Sequence, residues 1–138
     1  MINKENSLVF IPNAKVTISR VFTFDSAHHL IDYNGPCGNE HGHTYSLEVF
    51  ITGSLDEQGF VCDYNEMKEI VQTNIIKITD HSNLNFRFDF NTTAENLVVF
   101  IFHALLGPFN IRKLKLMKVK LWETANSCAE YSGGNIYE

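Results

Sequence analysis

The sequence predicts an α+β domain whose antiparallel sheet carries two helices on one face. Two long stretches near the N-terminus alternate apolar and polar residues, two central stretches have apolar residues at helical spacing, and the C-terminal part alternates again. The resulting order is β-β-α-α-β-β, with four strands in an antiparallel sheet. The 138 residues fit a single domain, 1–138, in which 1–14 form an irregular or extended lead-in.

Two long strands come first. Residues 15–30 place apolar side chains mainly at even positions, and residues 42–54 place them at odd positions, so these positions face the core. Residues 31–40 are rich in Gly, Asn and Pro and are predicted to form a loop. A turn at 55–59 leads to a short strand at 60–62.

Two helices follow. Asp63 is a predicted N-cap, and the first helix presents an apolar stripe with one polar interruption, formed by Met67, Ile70, Val71, Asn74, Ile75 and Ile78. Thr92 or Thr93 is predicted to cap the second helix. That helix is apolar almost all round from 97 to 106, which predicts burial on more than one side and hints at an oligomer. Gly107-Pro108 is predicted to end it.

The last two strands are predicted at 113–124 and 127–132. The alternation in the first of them slips near Leu116-Met117, which indicates a β-bulge. After the slip, Glu123 shares the core-facing phase with the apolar residues of its strand.

Histidines stand out at the ends of the first two strands. His28 lies on the even, core-facing phase of its strand, and His41 and His43 lie on the odd, core-facing phase of the next, whereas His29 points away. A single histidine on a core-facing phase is more often a satisfied core residue than a metal ligand. Three on one face favour a metal, and three protein ligands are typical of catalytic zinc sites.

Cys37 lies in the Gly-rich loop, four residues before His41. A thiol near a metal or a histidine has a lowered pKa. Cys37 could be a fourth zinc ligand, which would close the site, or a base or nucleophile beside an open site. The residues leave both alternatives open.

Two further features carry carboxylates. Asp80-His81 follows the first helix and could relay protons or simply cap and turn the chain. Glu123 sits on an apolar phase, where an unpaired carboxylate is costly. It must therefore form an ion pair or face a ligand with N–H donors.

Composition narrows the class of protein. The net charge of −5 argues against a nucleic-acid surface. The N-terminal residues do not resemble a secretory leader, and the apolar run 8–11 is too short for a membrane span. Three cysteines without a leader are typical of free thiols in a reducing cytosol, so we expect a cytoplasmic protein.

Together these motifs resemble the 6-pyruvoyltetrahydropterin synthase / 6-carboxytetrahydropterin synthase family. The resemblance spans about residues 16 to 131 and depends on five elements in one order: Phe24-Asp25-Ser26-Ala27-His28, Cys37-x3-His41-Gly42-His43, Asp80-His81-x2-Leu84-Asn85, Thr93-Ala94-Glu95-Asn96 and Glu123-Thr124.

The resemblance implies a T-fold, in which three subunits close their sheets into a barrel and two trimers stack into a hexamer with active sites between subunits. It implies that zinc is bound by the three histidines His28, His41 and His43. Cys37 would be the general base, Asp80 with His81 would relay protons, Glu123 would anchor the pterin ring, and Thr93 would lie near it.

The substrate class implied is 7,8-dihydroneopterin triphosphate. The short spacing from Cys37 to His41 resembles the bacterial branch that makes 6-carboxytetrahydropterin for queuosine synthesis, whereas the pyruvoyl-forming branch usually has a longer insert. The residues that hold the triphosphate are not identifiable. Two other classes are a non-catalytic zinc or pterin-binding protein and a zinc hydrolase, for which Glu40 would be the only nearby carboxylate base.

Overall fold

A computed structural model describes residues 8–11 and 13–134 of the protein. It contains a five-stranded sheet in the order β3-β1-β2-β4-β5. The strands are β1 (Lys15–His28), β2 (His41–Ser54), β3 (Ser82–Asn83), β4 (Lys115–Thr124) and β5 (Ser127–Tyr131). The predicted lead-in, 1–14, lies partly outside the described residues, and its described part has no regular secondary structure.

The helices lie between β2 and β4 in the sequence. They are α1 (Tyr64–Val71), α2 (Lys77–Thr79), α3 (Leu84–Arg87) and α4 (Ala94–Ile111), and a π-helical turn (Gln72–Ile76) joins α1 to α2 without a break. Both predicted caps are confirmed. The Asp63 carboxylate accepts from the Asn65 amide at 2.8 Å, and the Thr93 hydroxyl accepts from the Asn96 amide at 3.1 Å.

The prediction of four antiparallel strands is correct for β1, β2, β4 and β5 but misses β3. This two-residue strand pairs in parallel with Ser26 and Ala27 at the outer edge of β1. Two residues are too few to show an alternating pattern, so the sequence gives no signal for it. The sheet is therefore mixed.

One hydrophobic core joins the sheet to the helices. Alternate residues of β1, β2 and β4 are buried together with the apolar faces of α1 and α4. The predicted bulge in β4 is confirmed, because the register with β2 shifts between Phe50 and Ile51 and leaves Met117 without a partner.

Two further expectations about these elements are wrong. Residues 60–62 form no strand, although Cys62 is buried. Helix α4 continues past Pro108 to Ile111, because Phe109 is fully buried and anchors its last turn. Within the single subunit, one side of α4 is buried and the other is partly open, with Val99 39% exposed, so the expected burial of its second side in an oligomer stays a prediction.

Helix α4 is the one described helix that is long and apolar enough to cross a membrane by length and composition alone. Core helices of globular proteins pass the same test. Six of its residues lie in the core described above, so its apolar character is explained by packing on the sheet.

Candidate metal centre and adjoining cleft

His28, His41 and His43 meet at one end of the first two strands, as strand parity predicts. The antiparallel register places His28 directly opposite His41, and His43 follows two residues along β2 on the same face. Their ligand nitrogens all lie within 4.8 Å of one another. We call these three residues the histidine triad.

The hydrogen bonds of the triad fix which nitrogens are available. His28 Nδ1 donates to the Thr92 carbonyl at 2.9 Å, and His41 Nδ1 donates to the Asn39 carbonyl at 2.7 Å. Because a carbonyl only accepts, each Nδ1 carries the proton and each Nε2 keeps its lone pair. Such outer hydrogen bonds are typical of metal-binding histidines.

Within the triad, the Nε2 atoms of His28 and His43 are buried and have no hydrogen-bond partner among the described residues. Burial is the main reason that the pKa of each of the two imidazoles lies below its ordinary value, which favours the neutral form that binds metals. Unpaired buried nitrogens are costly. A bound cation would remove that cost, so the donor set fits a zinc ion.

Glu123 joins the triad. Its Oε1 lies 3.4 Å from His43 Nε2 but outside hydrogen-bond geometry, and its side chain is 26% exposed. Among the residues that the structure describes, Glu123 pairs with no lysine or arginine, and it is not fully buried. A partly open carboxylate beside the triad can accept hydrogen bonds from a ligand.

Cys37 lies in a short 3-10 turn, Pro36–Gly38, between the two strands. It is half-buried, and its carbonyl accepts from the Leu30 amide at 2.9 Å. Cys37 is not among the residues whose ligand atoms meet in the triad. The structure therefore does not place the thiol among the ligand atoms of the triad, and its role as a base stays a prediction.

Asp80 and His81 form a hydrogen-bonded pair of side chains next to β1. Asp80 Oδ2 lies 3.0 Å from His81 Nδ1, and Asp80 Oδ1 accepts from the Asp25 amide at 2.9 Å. These hydrogen bonds, that from Asp25 first, lower the pKa of the Asp80 carboxyl. The His81 side chain is 81% exposed, so its imidazole is free to meet a ligand.

A cleft of about 530 Å³ opens beside this pair, with His81 of the pair and His43 of the triad among its lining residues. Its lining includes Asp25, Glu40, His43, His81 and Asn83. No lysine or arginine is among the described residues that line it. The cleft can orient and deprotonate a ligand, but it offers an anion no positively charged lysine or arginine.

Thr93 caps α4 and therefore has a structural role, and its predicted contact with a ligand stays a prediction. Glu40 accepts a hydrogen bond from the Asn83 side chain and is not part of the triad. The triad's supports Thr92 and Asn39 are functional residues that sequence reasoning missed. Both accept through backbone carbonyls, which leave no signature in residue type, and the Thr92 hydroxyl also lies 3.2 Å from His28 Nδ1.

Known proteins resemble this chain over most of its length. A family model for 6-pyruvoyl tetrahydropterin synthase matches residues 17–134. The protein is 36% identical over 139 residues to the 6-carboxy-5,6,7,8-tetrahydropterin synthase of Haemophilus influenzae, an alignment that covers 83% of this chain and 96% of that protein. It is 35% identical over 133 residues to the 6-pyruvoyl tetrahydrobiopterin synthase of Dictyostelium discoideum, with 86% and 96% covered.

A solved structure shows the same fold. The 6-pyruvoyl tetrahydropterin synthase of Caenorhabditis elegans superposes with a TM-score of 0.79 at 27% identity, over 91% of this protein and all of that one. The likeness supports the T-fold, with the short parallel strand β3 as an addition to its four antiparallel strands. The chain belongs to the 6-pyruvoyl tetrahydropterin synthase family.

Proposed function

We propose that this protein is a zinc-dependent 6-carboxytetrahydropterin synthase. It converts 7,8-dihydroneopterin triphosphate and water to 6-carboxytetrahydropterin, acetaldehyde and triphosphate. The observation that carries the proposal is the triad, whose buried Nε2 atoms at His28 and His43 lack partners beside Glu123. The Haemophilus influenzae relative, named for this activity, supports it.

His28, His41 and His43 would hold the metal. When bound there, zinc would supply Lewis-acid polarisation of the hydroxyls on the substrate's side chain. Glu123 would accept hydrogen bonds from the amino and ring N–H groups of the pterin, because its carboxylate is partly exposed beside His43.

Cys37 and His81 would move the protons. A positioned side chain acts as general base when its reactive atom is within reach of the proton it removes. Asp80 would orient His81 by accepting from its Nδ1, which leaves Nε2 facing the solvent side of the pair. Thr93 would lie near the pterin, at the start of α4.

The choice of the carboxy product depends on the sequence. The two named relatives of the two branches are 36% and 35% identical to this protein, so overall identity does not separate them. The short spacing from Cys37 to His41 resembles the carboxy branch and therefore supports the carboxy product. The alternative product is 6-pyruvoyltetrahydropterin, formed by loss of triphosphate while the carbon–carbon bonds of the substrate stay intact.

A homo-oligomer completes the site in this proposal. The cleft offers no lysine or arginine from the described residues, and a triphosphate needs cations. A hexamer built as a dimer of trimers, with each site between subunits, would supply them from a neighbouring subunit. Light scattering at micromolar concentration should show one hexameric species, and a monodisperse monomer would contradict this arrangement. We place the protein in the cytoplasm, with no nucleic-acid or membrane partner.

The test is a turnover assay with dihydroneopterin triphosphate. We expect acetaldehyde in the mixture and a pterin product with the mass of 6-carboxytetrahydropterin. Triphosphate release without acetaldehyde would assign the protein to the pyruvoyl branch. Absence of both products would leave a zinc or pterin-binding protein. The hydrolase alternative has less support, because the Glu40 carboxylate accepts a hydrogen bond from Asn83 and lies outside the triad.

A further inference from the structure

The helix that leads to Asp80 contains one extra residue. Before the π turn its buried residues are Met67, Ile70 and Val71, within the turn they are Ile75 and Ile76, and after it Thr79 is buried. A regular α-helix would instead continue the buried stripe through 74, 75 and 78. The π turn therefore delays the helix phase by one residue, which is about 100° of rotation.

Asn74 is the first residue whose burial differs between the regular helix and the helix with the π turn. A regular helix would turn it into the core, where an amide without partners is costly. In the structure Asn74 is half-buried, and its Nδ2 donates to the Ile70 carbonyl at 2.8 Å. The widened turn disturbs the usual pattern of backbone hydrogen bonds, and this side chain supplies a donor inside it. Asn74 thus disfavours the regular phase and supports the π phase.

The phase of this helix determines the directions of the Thr79 side chain and carbonyl. Its side chain is 1% exposed, and its carbonyl accepts from the hydroxyls of Ser26 on β1 and Ser82 on β3. Both hydroxyls reach this carbonyl only if the last turn of the helix faces the strand edge. A rotation of one residue would turn the carbonyl away from them.

The Asp80–His81 pair comes directly after Thr79 in the sequence. Asp80 leaves the helix in an extended conformation, and its carboxylate reaches the Asp25 amide. His81 then adopts a positive φ of 55°, and its amide donates to the Asp25 carbonyl at 2.7 Å. Both residues are thus held on β1 by contacts that begin where the helix ends.

We propose that Asn74 is a positioning residue for the Asp80–His81 pair, because it selects the helix phase that brings the pair onto β1. The proposal rests on the proton-relay role given to that pair above. Asn74 has no place in the cleft itself, so its effect must pass through the helix.

The test is the substitution Asn74→Leu, which extends the apolar stripe of a regular helix toward Ile78. We expect kcat to fall about 100-fold, the cost of misplacing a catalytic group by about 1 Å. KM and zinc content should stay within about twofold of the wild type. The matched control is Thr73→Leu, which adds the same apolar group at an exposed position of the same turn and should leave kcat within about twofold.

Two further measurements separate positioning from general damage. In a His81→Ala background, Asn74→Leu should lower kcat by less than about twofold, because the pair it positions is already broken. Additive losses, or an unchanged kcat in the single variant, would overturn the proposal. If Asn74→Leu does not fold, Asn74→Ala replaces it, with a smaller loss of kcat expected.

Hydrogen–deuterium exchange needs no substrate, so it tests this inference independently of the proposed function. In Asn74→Leu the amides of Asp25 and His81 should exchange hydrogen for deuterium faster than in the wild type and in Thr73→Leu. Unchanged exchange would overturn the positioning role even if the reaction is right. Faster exchange together with an inactive wild type would retain the phase argument and reject the proposed reaction.

Discussion

The histidine triad and the Asp80–His81 pair both lie near the C-terminal end of β1, but the fold holds them in different ways. The triad sits on two paired strands, with His28 1% exposed and fixed by register. The pair sits beyond a helix that contains a π turn, with His81 81% exposed and at positive φ. The proposed metal ligands are therefore brought together by strand pairing, whereas the proposed proton-transfer pair is positioned by the end of a helix.

The largest expected effect tests whether Cys37 belongs to the proton-transfer side. Cys37→Ala should lower turnover by roughly 100-fold or more if proton transfer is limiting. Zinc content should not change, because the thiol lies outside the triad. Turnover and elemental analysis on the same sample check this, with the exposed Cys128→Ala as the control. Loss of zinc together with activity would make Cys37 a ligand.

Glu123 tests whether the metal side also binds the pterin. Glu123→Gln keeps the shape and removes the charge, so KM should rise by about tenfold, the loss of one charge-assisted hydrogen bond. Steady-state kinetics measure this, and zinc affinity from competition with a chelator should stay the same. The control is Glu130→Gln, which changes a carboxylate paired with Lys118 on the sheet. Weaker zinc binding at unchanged KM would mean that Glu123 supports the triad instead.

Acid should affect the triad through its imidazoles. The folded pKa values of His28 and His43 lie below 6.5, so the unfolded protein takes up protons first as the pH falls. The metal-free protein should therefore lose stability as the pH falls through 6.5 toward those folded values. Zinc should dissociate only below pH 6.5, because the folded imidazoles stay neutral to lower pH. Thermal unfolding and metal content against pH measure both, and zinc loss above pH 6.5 would contradict this.

The smallest expected effect concerns Asp80. Its folded pKa lies below 3.8, so its ionised form stabilises the fold above that value and the contribution is lost as the pH falls through the folded pKa. Asp80→Asn should lower Tm slightly at neutral pH, and the difference from the wild type should shrink in acid. A difference that persists unchanged at low pH would show that the charge is not the cause.

The same contrast explains what the sequence could predict. Side chains along a strand alternate between the two faces of the sheet, so position alone assigns each one to a face. This alternation placed His28, His41 and His43 on one face and excluded His29. A helix can absorb one extra residue, so the predicted stripe was wrong at Asn74 and Ile78, which are only partly buried, although Ile75 is buried as predicted. The two-residue strand β3 and the backbone carbonyls that orient the triad carry no pattern in residue type.

The central claim is that the triad binds a metal, and metal content tests it most directly. Elemental analysis of the purified protein should find about one zinc per subunit. His29→Ala should keep that zinc, because His29 lies outside the triad, and His41→Ala should lose it. Full zinc occupancy in His41→Ala would contradict the account.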